Sequence, residues 1–429
     1  MLLKLKKIFK SLRKSKDGKT LVANFGYLSL LQVAGYVFPF ITMPYLAKVI
    51  GVEGFGKIAF AAAIMVWMQT IADWGFNYTA TRDVAKNREN KEKVSDIFSR
   101  VFWSRCLLML FSFLLLVLLV YLVPKFKENA AVILVTFLMI PGQIMFPDWF
   151  FQAMERMKYI TMLNLLSKLL FTVLVFVFVK DKNDYILQPL FVSLGFILSG
   201  IIAMYYILIK WKVKLRVVSF LSIINTIKSS TDVFINNIVP NFYNAFSTLL
   251  LGFVAGSTAN GILDAGKKFL TIGSQFLGVF SRTFYPFLSR KIEKHSFYAK
   301  INITVVSLIS FCLFLCAPFL IKLFFTSEFS EAVVVLRITS ISLLFESLKN
   351  VYGINYMLLQ GYERQMRNIM IVCAFVGFCI SFPLIHYFTY VGAAVVYTFT
   401  LGLMGISSMI FVIIKQRKNE NIDSRRLRA

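Results

Sequence analysis

The sequence has too few charged residues for a water-soluble globular protein. Asp, Glu, Lys and Arg make up only 16% of its 429 residues, against about 25% in a typical soluble domain. Hydrophobic side chains account for 58% of the residues and aromatic ones for 16%. Such a chain cannot cover a globule with polar surface, which excludes a soluble enzyme or binding protein. We therefore predict an integral membrane protein.

Cysteine and histidine are scarce, which leaves little material for a disulfide framework or a metal site. The two histidines, His295 and His386, are too far apart in sequence to suggest a ligand pair. The five cysteines lie inside predicted apolar segments without metal-ligand neighbours, so we expect them to pack as free thiols. These cysteines are Cys106, Cys312, Cys316, Cys373 and Cys379. We predict no metal and no cofactor.

Acidic residues are also few: 21 Asp and Glu stand against 47 Lys and Arg, which gives a net charge of +26. With the N-terminus placed in the cytoplasm, 34 basic residues fall on that side of the predicted spans and seven on the opposite side. The seven are Lys48, Lys57, Lys125, Lys127, Lys180, Lys182 and Lys322. This asymmetry follows the positive-inside rule. It predicts cytoplasmic termini and contact with anionic lipid, and it argues against a nucleic-acid partner.

Apolar runs of the length of a membrane span recur along the whole chain. A helix of about 20 apolar residues crosses a hydrocarbon core of about 30 Å. We predict an all-α fold with about twelve transmembrane helices. The spans lie near residues 24–47, 56–76, 101–123, 129–151, 158–180, 185–209, 231–255, 259–281, 301–323, 331–358, 366–388 and 391–415.

A five-residue pattern occurs twice and divides the chain into halves. Gln152-Ala153-Met154-Glu155-Arg156 returns as Gln360-Gly361-Tyr362-Glu363-Arg364, 208 residues later. Gly54-Phe55 matches Gly261-Ile262 at an offset of 207. One repeat of about half a chain is typical of secondary transporters. We therefore predict two pseudo-symmetric six-helix lobes around a central cavity.

The predicted plan has five parts. A basic amphipathic anchor occupies residues 1–23, an N-terminal lobe 24–209, a cytoplasmic linker 210–230, a C-terminal lobe 231–415 and a basic cytoplasmic tail 416–429. The anchor carries apolar residues on one helical face with lysines around it, as interfacial helices do.

Several motifs, mainly in the first half, resemble a known family. They are Asn24-Phe25-Gly26-Tyr27-Leu28, Pro44-Tyr45-Leu46, Gly51-Val52-Glu53-Gly54-Phe55-Gly56, Asp73-Trp74-Gly75-Phe76, Ala80-Thr81-Arg82 and Pro147-Asp148-Trp149-Phe150-Phe151-Gln152. In this order they resemble the bacterial O-antigen flippases, the polysaccharide-exporter branch of the superfamily that includes the multidrug and toxin extrusion transporters. The second half resembles that family mainly through its length, its span count and the repeat.

This resemblance implies a multi-pass protein of the bacterial cytoplasmic (inner) membrane that is not an enzyme. Its cargo would be an oligosaccharide on a polyprenyl pyrophosphate. The resemblance also suggests a glycan polymerase and chain-length proteins as further partners.

Six basic residues lie inside predicted spans, where a charge at the bilayer centre costs about 2.5 kcal/mol or more. They are Arg105, Lys168, Lys267, Lys268, Arg337 and Lys349. Asp264 precedes Lys268 by four residues, and Glu346 precedes Lys349 by three. Both spacings allow an ion pair on one helix face. For these two lysines a structural pair and a substrate role both stay open.

The remaining cations are candidates for a cationic lumen. Lys168 lies ten residues beyond Lys158, or about 15 Å along a helix, close to the midplane. Arg337 lies about 9 Å below the start of its span, and Arg105 can either snorkel or face a lumen. The candidate substrate-binding residues are Lys168, Arg337, Lys267, Arg105 and Lys349. Basic side chains in a dry cavity favour an anionic cargo such as a pyrophosphate.

Two acidic residues could couple transport to an ion. Asp73 and Asp232 lie near the inner ends of the second and seventh predicted spans. Burial raises a carboxyl pKa and lets the group carry a proton, so H⁺ or Na⁺ coupling is one interpretation. The alternative is a structural pair with Arg82 or a neighbouring lysine.

The favoured function is translocation of a lipid-linked oligosaccharide, an O-antigen or related surface glycan unit, by alternating access. A small-molecule exporter of the same superfamily is an alternative, but a cationic drug would require an acidic cavity. A membrane-embedded glycan polymerase or transferase is a second alternative. It would require a catalytic constellation near one membrane face, which this sequence lacks. A non-transporting scaffold for cell-envelope assembly is a third.

Overall fold

The computed structural model describes the backbone of residues 16–426 and the side chains of residues 23–416, apart from those of residues 25, 36 and 286. Within the described residues the chain is all-helical and contains no strand. The predicted all-α class is therefore confirmed. Most of the predicted amphipathic anchor, up to residue 15, lies outside the described residues.

Fourteen α-helices follow one another in the described part of the chain. They are α1 Lys16–Asp73, α2 Phe76–Lys86, α3 Lys91–Leu122, α4 Pro124–Glu128, α5 Ala130–Phe137, α6 Met139–Met145, α7 Asp148–Ala153, α8 Met157–Phe178, α9 Leu187–Met204, α10 Phe220–Ile238, α11 Ala245–Arg290, α12 His295–Phe324, α13 Ala332–Leu348 and α14 Glu363–Arg426. Two π-helices extend this set, Tyr205–Lys210 after α9 and Lys349–Met357 after α13.

Eight helical segments among the described residues are long and apolar enough to cross a membrane. In three long helices, α1, α11 and α14, two helices meet at one residue with non-helical backbone angles, Gly51, Gly256 and Thr389 respectively. The chain is a multi-pass membrane protein.

The long helices expose large apolar side chains at helical spacing. On α3 the exposed residues include Leu110, Leu114 and Leu118, each one helical turn apart. On α12 the exposed side chains include Leu308, Phe311, Leu315 and Phe319. Such continuous apolar faces suit a hydrocarbon environment, because a soluble protein of this size would cover them.

The same backbone geometry recurs in the two halves of the chain. Gly51 has φ 65° and ψ −178°, and Gly256 has φ 78° and ψ −171°. Glu155 and Gly361 both have positive φ, and the next residue of each donates its N–H to the carbonyl five positions back. These backbone matches fall at offsets of 205 and 206, slightly less than the sequence matches indicated.

The chain forms two compact units. The first unit comprises the described part of Met1–Ile50 together with Ile64–Asn237, and the second comprises Gly51–Ala63 and the described part of Ile238–Ala429. The first unit has an aromatic core that includes Phe76, Phe98 and Trp149, all fully buried or nearly so. The second holds several smaller apolar clusters, one of them around Leu288, Tyr298 and Val351.

Two glycines let helices touch within the second unit. A Cβ at Gly56 would collide with the carbonyl of Ser257, and a Cβ at Gly261 would collide with the carbonyl of Val52. With Gly51 matched to Gly256, Val52 corresponds to Ser257 and Gly56 to Gly261. The contact of Gly56 with Ser257 and the contact of Gly261 with Val52 are therefore equivalent, as in a two-fold interface. Gly56, not Gly54, is the counterpart of Gly261, which corrects the sequence alignment by two residues.

Two predicted spans differ in the structure. The span expected at 129–151 consists of three short helices, α5, α6 and α7. Pro147 and the extended backbone of Phe146 separate α6 from α7, because proline lacks the N–H that a continuous helix needs. The helix expected from residue 231 begins at Phe220, so α10 takes up the second half of the predicted linker.

Candidate functional site

Arg105 is buried in the first unit and pairs with an acidic residue distant in sequence. Its Nη2 donates to Oδ1 of Asp73, 32 residues away. The side chain of Arg105 is 5% exposed and that of Asp73 is 19% exposed. The other two guanidinium nitrogens of Arg105, Nε and Nη1, are buried without a hydrogen-bond partner among the described residues. Asp73 therefore provides the counter-ion for a buried guanidinium.

A second carboxylate stands close to this pair. Asp148, the first residue of α7, interacts electrostatically with both Arg105 and Asp73. Its Oδ1 accepts a hydrogen bond from the Trp149 N–H at 2.8 Å. Two carboxyl groups therefore share one guanidinium, and protonation of one of them would balance the charge of the trio. This charge balance suits a proton or a monovalent cation better than an anion.

The chain next to Asp73 is held against α10. The Trp74 ring stacks on Phe234 at 3.8 Å between centroids, and Trp74 Nε1 donates to Oγ1 of Thr231 at 3.3 Å. Gly75 has a φ of 80°, and a Cβ there would press on Val233. Asp232 itself is exposed. Of the two predicted coupling residues, only Asp73 has a charged partner among the described residues, and that partner is Arg105 rather than Arg82.

Lys168 on α8 is half-buried and faces Gly35 of α1. Its Nζ lies 3.8 Å from where a Gly35 Cβ would be. No described residue forms an ion pair or hydrogen bond with this ammonium group. A partly buried ammonium without a counter-ion is available to an external anion.

In the second unit, Lys267 is held by neutral groups. Its Nζ donates to Oδ1 of Asn244 at 2.7 Å and lies 4.4 Å from the centroid of the Tyr397 ring. Its neighbour Lys268 pairs with Asp264 at 2.8 Å, as the sequence spacing allows. Adjacent lysines therefore have different partners, a carboxylate for Lys268 and an amide oxygen with an aromatic face for Lys267.

Glu346 and Lys349 interact electrostatically but form no direct ion pair, although their spacing permits one. The Glu346 carboxylate accepts a hydrogen bond from Ser274 at 2.5 Å. A π-helix begins at Lys349. Because a π-helix has more residues per turn than an α-helix, residues three positions apart no longer lie on the same helix face. Lys349 makes no ion pair or hydrogen bond with a described residue.

Two tyrosines adjoin these groups. Tyr243 and Tyr397 interact electrostatically with Glu346, and their ring centroids lie 6.4 Å apart. We use the name unit 2 polar cluster for Tyr243, Asn244, Lys267, Ser274, Glu346, Lys349 and Tyr397. The cluster contains two basic residues and one acidic residue.

Arg337 lies outside this cluster. Its side chain is exposed on α13, and its guanidinium lies 5.4 Å from the centroid of the Phe314 ring. A cation over an aromatic face is stabilised by the ring quadrupole. The structure therefore places Arg337 on an exposed apolar face, apart from Lys267 and Lys349.

His295 belongs to the packing of the second unit. Its Nε2 lies 2.9 Å from the carbonyl oxygen of Val351, and its ring contacts those of Tyr352 and Tyr356. Among the described residues no group of three or more His, Cys, Asp or Glu side chains could hold a metal ion.

With this geometry established, comparison with known proteins identifies the family. The family model described as "Polysaccharide biosynthesis protein" matches residues 21–292. The chain belongs to this family.

Two bacterial relatives match this family member over nearly their whole length. A protein of Escherichia coli (strain K12) named "Putative O-antigen transporter" is 30% identical over 403 residues, which is 92% of this chain and 97% of the relative. A Shigella dysenteriae protein of the same name is 26% identical over 388 residues, or 88% and 96% of the two chains.

Solved structures share the fold of this polysaccharide biosynthesis protein. One is the lipid II flippase MurJ in an inward closed conformation, with a TM-score of 0.72 at 14% identity over 90% of this chain and 87% of MurJ. Another is an inward-facing multidrug resistance transporter of the MATE family, in the MOP superfamily, with a TM-score of 0.64 at 12% identity over 93% and 99%. At these identities the likeness shows the fold alone.

Sequence reasoning found the unusual cations of this family member but missed most of their partners. Asp148 was visible only as part of a family motif, and nothing in the sequence connected Ser274 to Glu346 or Tyr397 to Lys267. These partners lie on other helices, 72 and 130 residues away, so helical spacing could not identify them.

Proposed function

We propose that this chain is a flippase that moves a polyprenyl-pyrophosphate-linked oligosaccharide from the inner to the outer leaflet of the bacterial cytoplasmic membrane. The cargo is an O-antigen or related surface glycan unit. Family membership and the names of the two relatives support this proposal.

The observation that carries the proposal is a set of lysines inside the predicted spans that form no direct ion pair with a described carboxylate. Lys267 has an amide oxygen and a ring as its partners, and Lys168 and Lys349 have no ion pair among the described residues. A desolvated ammonium gains charge-assisted hydrogen bonds from a pyrophosphate. The polyprenyl tail stays in the hydrocarbon while the headgroup crosses.

We further propose twelve membrane spans in two six-helix lobes that alternate access to a cavity, with both termini in the cytoplasm. The count starts from the eight helical segments that are long and apolar enough to cross a membrane. Three of them contain α1, α11 or α14, in which two helices meet, and each of these segments counts as two spans. The helix α13 with its π-helix supplies the twelfth span. The recurring backbone geometry supports two copies of one unit.

A small-molecule exporter of cationic drugs is the main alternative. Such cargo needs unneutralised carboxylates. Asp73 is paired with Arg105, and Asp148 lies near the same guanidinium. Glu346 interacts electrostatically with Lys349. The unit 2 polar cluster contains two lysines and one acidic residue, which favours an anionic cargo.

Reconstitution in liposomes tests the proposal. A fluorescent polyprenyl-pyrophosphate oligosaccharide is placed in one leaflet, and its appearance in the other is followed with a membrane-impermeant quencher. We expect the intact protein to move the lipid and Lys267→Gln to slow transfer at least about tenfold, because one charge-assisted contact contributes roughly 1.5–3 kcal/mol. Runs with H⁺ or Na⁺ gradients test ion coupling, for which Asp73 is the candidate.

Lys268→Gln is the matched control. It removes the same charge one position away, from a side chain that is 42% exposed and already paired with Asp264. We expect transfer close to that of the intact protein. Equal losses in both variants would mean that the overall charge of α11 matters rather than the Lys267 position. Absence of transfer by the intact protein under every gradient would refute the flippase proposal.

A further inference from the structure

The segment 213–219 is not helical and runs along α3 in the first unit. Ser95 accepts a hydrogen bond from the Lys214 N–H at 3.1 Å, and Ser99 accepts one from the Arg216 N–H at 2.9 Å. Ser99 also donates to the Lys214 carbonyl at 3.2 Å. Trp103 donates through Nε1 to the Arg216 carbonyl at 3.0 Å. Side chains of α3 therefore fix the backbone of this segment.

This fixed backbone sorts the side chains into two faces. Val213 is buried and Leu215 is partly buried, both in the core of the first unit. The side chains that point away are basic and exposed: Lys212, Lys214 and Arg216. From Val213 to Arg216 the alternation is that of an extended chain, in which successive residues face opposite sides. Lys212, directly before this stretch, has a φ of 57°. One face therefore anchors the segment while the other presents a row of three cations.

An exposed apolar group follows directly. Val217 is 92% exposed, Phe220 is 66% exposed and Leu221 is 69% exposed. The helical segments on both sides, Lys182–Lys210 and Phe220–Arg290, are long and apolar enough to cross a membrane. A segment that joins two such helices lies near the membrane surface, where apolar side chains reach acyl chains and basic ones reach headgroups.

The charges of the row are largely unneutralised. Arg216 lies 3.7 Å from Glu92, a carboxylate that is 86% exposed. Such a surface pair contributes little. Lys212 and Lys214 have no ion pair among the described residues. The complementary surface for three cations beside three apolar side chains is an anionic lipid headgroup layer.

We propose that residues 212–221 form a binding surface for anionic phospholipid, with the basic row on the phosphates and Val217, Phe220 and Leu221 in the acyl region. We call this surface the linker lipid site. It is independent of the cargo, because it lies on the connection between helices and contains none of the candidate cargo residues. It fastens one end of α10 to the bilayer.

Hydrogen–deuterium exchange in nanodiscs tests the site. The intact protein is placed in phosphatidylcholine alone or with phosphatidylglycerol. We expect amides of residues 217–221 to exchange several-fold more slowly with phosphatidylglycerol. The amides of Lys214 and Arg216 should change little, because Ser95 and Ser99 already bond them. Replacing Lys212, Lys214 and Arg216 with Gln should abolish the difference in exchange between the two lipid compositions. Native mass spectrometry of this variant should show weaker phosphatidylglycerol binding, by about fivefold per basic residue removed.

A second triple variant is the matched control. Lys86, Lys91 and Lys93 are also exposed in the first unit, so their replacement with Gln removes the same charge. This variant should keep the lipid dependence at residues 217–221. Equal loss in both variants, or equal exchange in the two lipids, would overturn the proposal.

The apolar half of the site is tested separately. Val217→Gln with Phe220→Gln keeps all three cations and the hydrogen bonds to α3. We expect this variant to lose slow exchange at 217–221 while still binding phosphatidylglycerol more tightly than the basic-row variant. If the protection is unchanged, the apolar residues do not enter the bilayer and the site as proposed is wrong.

Discussion

The guanidinium of Arg105 shows how one buried charge constrains its surroundings. It is nearly inaccessible, and a single described carboxylate, that of Asp73, bonds to it. Removing one partner of a buried pair leaves the other charge desolvated without compensation. The sequence singled out Arg105 because it lies inside a span, but no spacing rule connects α3 to the end of α1.

Asp73→Asn should therefore destabilise the protein by about 3 kcal/mol. The asparagine amide can occupy the same space but cannot balance the charge of Arg105. Thermal unfolding in detergent, followed by intrinsic fluorescence, measures the effect. The double variant Asp73→Asn with Arg105→Gln should recover part of the loss, because it removes the buried guanidinium and leaves Asp148 as the one ionisable group of this trio.

Asp83→Asn is the control for this prediction. Asp83 pairs with Arg82 at 2.9 Å, but both side chains are well exposed. Surface pairs contribute about 0–1 kcal/mol, so the midpoint should hardly move. Similar losses for Asp73→Asn and Asp83→Asn would mean that the burial of the Arg105 pair has no energetic consequence.

Among the helices, the crossing of residues 52–56 with 257–261 depends on two glycines. Main-chain atoms of one helix occupy the space of a side chain on the other at both Gly56 and Gly261. Small residues at helix crossings are typical of membrane proteins, where backbones approach closely. The glycines were visible in the sequence, but their contact was not, because it depends on which faces meet.

Gly56→Ala should destabilise the second unit by about 2 kcal/mol or more. The added methyl meets a carbonyl of Ser257, and main-chain atoms cannot rotate away as a side chain can. The unfolding midpoint in detergent measures this. Gly26→Ala is the matched control, since nothing lies within 4 Å of the added methyl. Alanine favours a helix over glycine, so the control should be neutral or slightly stabilising.

If Gly56→Ala and Gly26→Ala unfold at the same temperature, the two helices separate at little cost and the close crossing is not a stability determinant. A lower unfolding temperature for Gly56→Ala alone would support the role of this helix crossing in stability.

The π-helix Lys349–Met357 is a second element that sequence patterns did not reveal. Within it, Asn355 donates to Ser281 at 2.6 Å and to Tyr298 at 2.8 Å, both on neighbouring helices. A π-helix needs favourable partners because its own geometry is poor. The apolar pattern predicted a continuous span from 331 to 358, on which an ion pair between Glu346 and Lys349 was one of two interpretations. The two residues interact electrostatically in the structure but form no direct ion pair.

For the molecule as a whole, the charge asymmetry predicts its orientation. Lys127 and Lys294 are exposed in connections that the positive-inside rule places on opposite sides of the membrane. In a background without the native cysteines, Lys127→Cys should react with an impermeant maleimide on spheroplasts. Lys294→Cys should react only after the membrane is permeabilised. The background is needed because Cys312, Cys316 and Cys379 are exposed.

Labelling of Lys294→Cys in intact spheroplasts would place that connection outside and reverse the proposed orientation. Labelling of both positions before permeabilisation would indicate leaky spheroplasts, which a cytoplasmic marker protein detects independently.

Composition and the length of the apolar runs were enough to predict the membrane class and the helical fold, and the resemblance of short motifs was enough to predict the family. These properties depend on one-dimensional patterns: the length of apolar runs, the side on which basic residues collect and the order of short motifs. The same patterns located the unusual cations, because a Lys or Arg inside an apolar run is conspicuous.

Only the tertiary structure decided what those cations do. Asp73 is the counter-ion of Arg105, and Lys267 contacts the amide oxygen of Asn244 and the ring of Tyr397. Lys168 and Lys349 have no ion pair among the described residues. Arg337 lies on an exposed face. A sequence records how far a residue lies along a helix, but the rotation of each helix comes from packing against its neighbours. The partners of a buried charge therefore depend on contacts between distant segments, which one sequence does not contain.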